Sequence, residues 1–428
     1  MKILHINTLQ EGGAAWCARR INSALVKAGI DSRMLFANGK AMPEGIKGAI
    51  AERDIEFWYS NPILIPIKHF LMRLPWYMDE EKMQKILEQK NTDKLFLHQP
   101  YSCYKNIAHH PLIEWADIIH LHWVSDFVDY PTFFKNVKKP IVWTLHDKYP
   151  LVGVQHYCSK FFPVPEQLSE IDSCCKKIKR KAVLQAKNLH VVAISEQMQS
   201  LCGSSEVLKG FPCTLIHNGV NIDVFKPTNI LYAAYQMEIQ SLPAKTVKFM
   251  FSAYNIWDEN KGLKRVIEAL EETRKVIDVS ISLIIVGNVH ETDPKPVVSF
   301  PLIFTGLIKE QSVLSSLYTC MDFFIQSAYE ETFAQTPLEA MACGTPVIST
   351  PCSGAVDLIR PFNGVICEGY DSSALRDGIL KAISQDYDSQ KIRDYIIEYF
   401  NYNIIAKEYI DLYCKIQDKL RLNNHHNL

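Results

Sequence analysis

The chain has 428 residues, with 46 Lys and Arg against 47 Asp and Glu and a formal net charge of −1. That length suits two α/β domains with a core each, and the charge balance excludes a nucleic-acid partner held by bulk electrostatics. The 12 cysteines form no dense framework and read as reduced, mostly buried thiols. The opening run Met1–Leu9 is too short and polar for a signal peptide, and no window approaches the roughly 18 apolar residues of a membrane span, so the sequence predicts a cytoplasmic protein.

Lys2–Asn7 reads as a strand, Glu11-Gly12-Gly13-Ala14-Ala15 as a small-residue loop, and Trp16–Lys27 as a helix with Cys17, Ile21, Ala24, Leu25 and Ala28 on one face, closed by Gly29. Ser32–Ala37 completes a βαβ unit whose glycine loop lies over the strand's carboxyl end, where open α/β sheets bind ligands. No Gly-x-Gly-x-x-Gly occurs, which counts against a dinucleotide cofactor. Phe57–Tyr77 is apolar and aromatic, carries Lys68, His69 and Arg73, and is broken by Pro62, Pro66 and Pro75. It suits either a helix packed on the first sheet or one lying on anionic lipid.

Asp117–Trp123 and Pro140–Asp147 predict buried strands that end on His122 and on His146-Asp147. A strand-end histidine is either a satisfied structural residue or a site residue. Tyr149–Lys187 reads as an irregular insert with His156, Cys158, Cys174 and Cys175; without a Cys-x-x-Cys it is a poor zinc site. His190–Ser195 and Cys213–Ile216 predict the last strands of this half, and His217-Asn218-Gly219-Val220 a turn.

Polar sequence from Asn221 to about Lys245 marks a domain boundary, after which the α/β rhythm restarts with a strand at Val247–Ala253, a helix at Lys261–Val276 and strands at Ile281–Gly287 and Leu302–Gly306. A helix at Glu310–Cys320 and a strand at Phe323–Gln326 lead to Tyr329–Thr350, the most informative stretch. Gln335–Cys343 there predicts a helix with Pro337 near its start and Gly344 as its stop. Its entrance amides favour an anion, Glu331 lies before it, and Glu339 lies within it. A phosphate at that entrance with a carboxylate for hydroxyls is the need of a nucleotide-linked sugar. The only Asp-x-Asp is Asp386-Tyr387-Asp388, between helical stretches, so neither a metal nor another cofactor is expected.

The spacing Glu331-(seven residues)-Glu339, followed by Glu-Ala-Met-Ala-Cys-Gly-Thr-Pro-Val-Ile, resembles the retaining glycosyltransferases of family 4, of the group 1 glycosyl transferases. Ala-Asp-Ile-Ile-His-Leu-His-Trp and Trp-Thr-Leu-His-Asp resemble bacterial members that build exopolysaccharide, capsule or lipopolysaccharide, including the colanic-acid type. The resemblance implies the GT-B fold, an α/β architecture of two facing Rossmann-like domains with a deep interdomain cleft. Residues 1–222 would be the acceptor-side domain, 223–392 the nucleotide-sugar domain, and 393–428 a helical segment crossing back to the first.

It further implies His146, Glu331 and Lys261 as catalytic residues. Gly12, Gly13, Lys261, Phe333, Ala334, Gln335 and Glu339 would hold the donor, with Glu339 on the ribose and Lys261 on the diphosphate, while His122 and Asp147 would contact sugar or acceptor. The partners implied are a UDP- or GDP-sugar and a glycan or lipid-linked acceptor, at the inner face of the plasma membrane, with no metal required. One departure stands out: the family's Arg five or six residues before Lys261 is replaced by Asn255 and Ile256, and Arg265 or the Gly-Gly loop is expected to complete the phosphate grip. That departure keeps two rivals in play, a catalytically inactive nucleotide-sugar-binding scaffold and a sugar-nucleotide epimerase on the same fold.

Overall fold

Short apolar strands separated by helical stretches pair in parallel through crossover helices, and the computed structural model contains two such sheets. It describes residues 1–37, 49–51, 80–90, 97–228, 239, 241–243, 245–290, 292–294 and 296–425. Phe57–Tyr77 lies outside these, so neither reading of that segment is decided. No helix among the described residues is long and apolar enough to cross a membrane.

The chain divides into two units, Met1–Ile216 with Ala406–Leu428, and His217–Ile405. The break therefore falls at 216/217, ahead of the 222/223 expected from the polar stretch, and residues 393–405 stay with the second unit.

In the first unit the elements are β1 (Lys2–Asn7), α1 (Gly13–Lys27), β2 (Asp31–Phe36), β3 (Ala49–Ala51), α2 (Glu80–Lys90), β4 (Ile118–Leu121), α3 (Tyr130–Asn136), β5 (Ile141–Leu145), α4 (Ser169–Val183), β6 (Leu189–Ala193), α5 (Glu196–Ser204) and β7 (Cys213–Leu215). The strands order as β3-β2-β1-β4-β5-β6-β7. Because side chains alternate along a strand, Leu4, Ile6, Ile119, Leu121, Trp143 and Leu145 share one face and enter the main apolar core with Phe127, Phe133 and Phe134. The other face is polar at its centre, carrying His5, His120, His122 and Thr144, all buried.

The second unit comprises β8 (Val247–Asn255), α6 (Leu263–Arg274), β9 (Ile281–Asn288), β10 (Leu302–Gly306), α7 (Gln311–Cys320), β11 (Phe323–Gln326), α8 (Gln335–Ala342), β12 (Val347–Ser349), α9 (Ser353–Leu358), β13 (Gly364–Ile366), α10 (Ser372–Ile383) and α11 (Ser389–Tyr399). Its sheet runs β10-β9-β8-β11-β12-β13 around a core of Phe249, Phe251, Leu270, Leu283, Ile285, Ile325 and Ile348. The last helix, α12 (Tyr402–His425), returns from residue 406 onward to the first unit.

The supposed insert is not irregular, since α4 occupies its second half. The helix escapes a periodicity reading because its buried face includes Lys179, whose ammonium donates to Tyr149 O at 2.7 Å and Val152 O at 2.9 Å. Cys175 sits on that face too, among Met83, Leu87, Leu97, Val154, Leu168 and Ile171, where burial pushes its thiol up to about 12. It is a core residue.

Candidate active site

In the second sheet the strand order reverses between β8 and β11, the place where connections leave toward opposite faces and a ligand crevice opens at the strands' carboxyl ends. Two loops meet there. Asn260, 1% exposed, bridges them: its side chain donates to Glu330 O at 2.9 Å and accepts from Glu330 N at 2.8 Å. Ser327 Oγ donates to Lys261 O at 2.6 Å, and Gly262 takes the left-handed turn, φ +80°, that lets α6 begin. These bonds bring the Lys261 ammonium against Glu331 as a partly exposed ion pair. Thus the sequence's candidates for phosphate and sugar meet each other directly.

Arg265 does not supply the missing phosphate grip. Its guanidinium donates to Glu259 O at 3.1 Å, Asn260 O at 3.3 Å and Ser327 O at 2.6 Å, and stacks 3.5 Å from the centre of the Tyr329 ring. Planar donors spent on three carbonyls and an aromatic face hold the two loops in place.

Glu339 lies on α8 and is 5% exposed, while Phe333 and Ala334 form the buried approach to that helix. Ala334, at the N-cap, has no side chain with which to cap the entrance, and Gln335 donates its amide to Gly219 O at 3.1 Å. The approach is set by Gly354 in the first turn of α9, where a Cβ would stand 2.4 Å from Phe333 Cα and 2.7 Å from Ala334 N. Gly354→Ala is therefore expected to displace this loop, costing about 1–3 kcal/mol as overpacking and weakening nucleotide binding as well. Thermal unfolding with calorimetric titration checks this, and wild-type values in both would show that the contact does not hold the loop. The lone Asp-x-Asp serves a helix: Asp388 caps α11, accepting from Gln390 N at 2.9 Å and Lys391 N at 3.1 Å.

In the first sheet the reversal falls between β1 and β4, and the Gly-Gly loop and His122 lie at those strand ends. Gly12 has φ +98°, which a side chain would strain, and the space above both glycines is open. The backbone entering α1 is therefore bare, as an approaching ligand would need. His122, 1% exposed, has both ring nitrogens engaged, Nε2 with His5 Nδ1 at 2.8 Å and Nδ1 with His146 Nε2 at 2.9 Å. This corrects the expectation that it touches sugar or acceptor, for it stands behind His146. Burial lowers the pKa of His146 to about 4, against a small opposing pull from Asp147, so the ring is neutral near pH 7.

Asp147 is likewise committed. It accepts from Trp123 Nε1 at 2.8 Å, from Tyr149 N at 3.0 Å and from His156 Nδ1 at 2.5 Å. Burial alone would raise its pKa, yet His156 and these bonds hold it below the ordinary value. His156, which the sequence offered only as part of a poor metal set, is thus its partner.

For a metal, the candidate group among the described residues is His5, His120 and His122, with ligand atoms within 4.8 Å of one another. Hydrogen bonds already use most of those nitrogens: besides the pairs above, His120 Nε2 meets Thr144 Oγ1 at 2.8 Å and His120 Nδ1 meets the Tyr413 hydroxyl at 2.7 Å. His5 and Asn260 were invisible as site residues in the sequence, one inside a strand and the other a loop amide without a motif.

Two Rossmann-like units with parallel sheets, each with its ligand-capable loops at a strand-order reversal, are the components of the GT-B fold, and solved structures agree on the fold. Sucrose-phosphate synthase from Thermosynechococcus elongatus superposes with a TM-score of 0.65 at 18% identity, over 98% of this chain and 100% of that one. Anabaena HepE in complex with UDP and glucose gives 0.61 at 18% identity, over 97% and 100%.

Residues 236–399 match the family model described as glycosyl transferases group 1. A GDP-mannose-dependent alpha-mannosyltransferase of Mycolicibacterium smegmatis is 37% identical over 81 residues, 19% of this chain and 21% of its own length. The capsular polysaccharide biosynthesis glycosyltransferase CapM of Staphylococcus aureus is 26% identical over 206 residues, 46% and 52% of the two chains. The chain spans about a fifth and about half of these two relatives.

Proposed function

We propose that this chain is a retaining glycosyltransferase that moves a sugar from a UDP- or GDP-sugar to a glycan or lipid-linked acceptor in bacterial surface-polysaccharide biosynthesis, working at the cytoplasmic face of the membrane. The observation that carries this reading is the Lys261–Glu331 pair at the β8/β11 reversal, beside the entrance of α8 and the buried Glu339. A cation, a helix entrance and two carboxylates are what a sugar diphosphate requires. The names of the M. smegmatis and S. aureus relatives and the UDP bound to HepE support the donor class.

In this mechanism the donor diphosphate replaces Glu331 as the partner of Lys261, releasing the carboxylate to the sugar hydroxyls while Glu339 holds the ribose. Lys261 and the amides near Phe333, Ala334 and Gln335 stabilise the leaving charge, so no divalent ion is needed for that task. Gly12 and Gly13 give the donor phosphates close backbone approach, and neutral His146 hydrogen-bonds the transferring sugar. The leaving phosphate then accepts the acceptor's proton on the face from which it departs, which preserves configuration.

Turnover of a panel of UDP- and GDP-sugars, with and without an acceptor extract, tests the proposal. Transfer is expected only with acceptor. Binding without turnover would instead mark a scaffold, and sugar inversion without acceptor an epimerase. With the active donor, His146→Ala should lower kcat by about tenfold or more, on the order of 1.4 kcal/mol. Unchanged kcat with only a lower Tm would make His146 structural.

A further inference from the structure

The first unit carries a buried cation that the proposed chemistry does not use. Ala15, Arg19 and Asn22 share a buried face of α1, and Asn22 ties that face to the start of β2 by accepting from Ser32 Oγ at 2.7 Å. Arg19, one turn nearer the helix entrance, reaches the other end of the strand. Its guanidinium carbon stands 5.9 Å from the centre of the Phe36 ring and 5.1 Å from that of Trp16. Phe36 pairs with Asn7, the last residue of β1, so the guanidinium lies at the carboxyl edge of the sheet, where the Gly-Gly loop begins its course into α1. Helix side chains lean toward the N-terminus and Trp16 closes the first turn of α1, so Arg19 points back toward the helix entrance.

This charge is unmatched. Arg19 is 6% exposed, and its Nε and Nη2, which together form the edge that grips an oxyanion through two parallel bonds, have no hydrogen-bond partner among the described residues. Arg265 and Arg393 behave differently, for backbone carbonyls engage their guanidinium groups. Glu11 attracts Arg19 without bonding to that edge, and burial lowers the pKa of the group; an arginine so lowered is still charged near pH 7. A buried charge without a partner is strongly destabilising, and an incoming anion would relieve it.

The helix entrance points to the same kind of ligand independently. Trp16 N is the first amide of α1 to meet a helical carbonyl, Gly12 O at 3.0 Å, so those of Gly13, Ala14 and Ala15 face outward from the helix end. Gly12 at the N-cap has no side chain with which to cap them, no acidic residue occupies the first turn, and the space over Gly12 and Gly13 is open. A carboxylate bound to the guanidinium edge uses both its oxygens there, whereas a phosphate has further oxygens to turn toward the amides. We propose that Arg19 and the entrance of α1 form a phosphate-binding site, with the half-exposed indole of Trp16 as its outer wall. The phosphate belongs to the donor's diphosphate or to a phosphorylated acceptor. Only that choice rests on the glycosyltransferase reading, because binding of inorganic pyrophosphate can be measured without turnover.

Calorimetric titration with inorganic pyrophosphate tests this in the full chain carrying Lys261→Ala, so that the ammonium of the second unit does not contribute. Adding Arg19→Gln should weaken binding by about tenfold or more, and Arg19→Lys should restore little of it, since an ammonium lacks the two-bond edge. Without ligand, Arg19→Gln should leave Tm unchanged or raise it. In the ¹⁵N-labelled wild type, pyrophosphate should shift the Arg19 Nε–H signal and the amides of Gly13, Ala14 and Ala15. Unchanged affinity in Arg19→Gln, or a lower Tm with affinity intact, overturns the proposal and leaves the guanidinium as packing for Trp16 and Phe36. If Arg19→Gln does not fold, the wild-type shifts decide, and their absence at α1 is equally fatal. Titrations with UDP, GDP and a short-chain isoprenyl diphosphate separate the sources: a loss confined to the nucleotides marks the donor, and one confined to the isoprenyl compound marks the acceptor. If pyrophosphate binds through Arg19 while no sugar-nucleotide is turned over, the site stands and the functional reading fails separately.

Discussion

Lys261→Ala is expected to lower sugar transfer by about 10²–10³-fold, the usual loss when one preorganised donor to a developing charge is removed. Lys261 is held in an ion pair with Glu331. Under the proposed mechanism the diphosphate takes the place of the Glu331 carboxylate on the ammonium, and the interaction strengthens as the leaving group gains charge. Removing the ammonium leaves Glu331 beside two phosphates as an uncompensated like charge. The effect should therefore exceed that of a simple contact, and nucleoside diphosphate binding should weaken by about 1–3 kcal/mol. Glu339→Ala should cost similar binding, with less effect on kcat, because a ribose contact is made equally in the ground and transition states. Calorimetry with the parent nucleoside diphosphate is the check. Wild-type affinity in both variants would remove the assignment of this site.

A second large effect concerns acid. His5 and His146 titrate at about 3 and about 4 in the folded chain, and burial lowers His120 and His122 as well. In the unfolded chain each returns to about 6.5. The unfolded state therefore binds protons first as pH falls, and stability is lost below about pH 6.5 until the folded values are reached. Between about pH 7 and about pH 5 this amounts to about 2 kcal/mol for each of His5 and His146, with His120 and His122 acting in the same direction. Urea unfolding across that range should show the first unit losing several kcal/mol, on the order of half a typical domain's stability. A flat profile would mean that these rings are not held neutral by burial.

Where local pattern decides structure, the sequence was readable. Lys2–Asn7 and Phe323–Gln326 are strands within the expected limits, and the helix carrying Glu339 begins at Gln335, because apolar runs, Pro337 and Gly344 act within a few residues. What long-range packing decides was not readable. No spacing rule links Asn260 to Glu330, or shows that Arg265 turns onto the carbonyls of Glu259, Asn260 and Ser327. The His-Leu-His that runs off the end of β4 does show two rings on one face, but only the pairing with β1 and β5 brings His122 between His5 and His146. Asp147 was misjudged for a related reason, as its partner His156 lies in a segment whose fold the sequence did not reveal.

Metal-independent retention of configuration is measured most directly by proton magnetic resonance of the anomeric signal in the purified product, formed from an α-linked sugar-nucleotide in the presence and absence of excess EDTA. Transfer by Lys261 and the α8 entrance, with the leaving phosphate taking the acceptor's proton on one face, predicts an α-linked product at an undiminished rate in EDTA. A β-linked product, or activity abolished by EDTA and restored by magnesium or manganese, would contradict it.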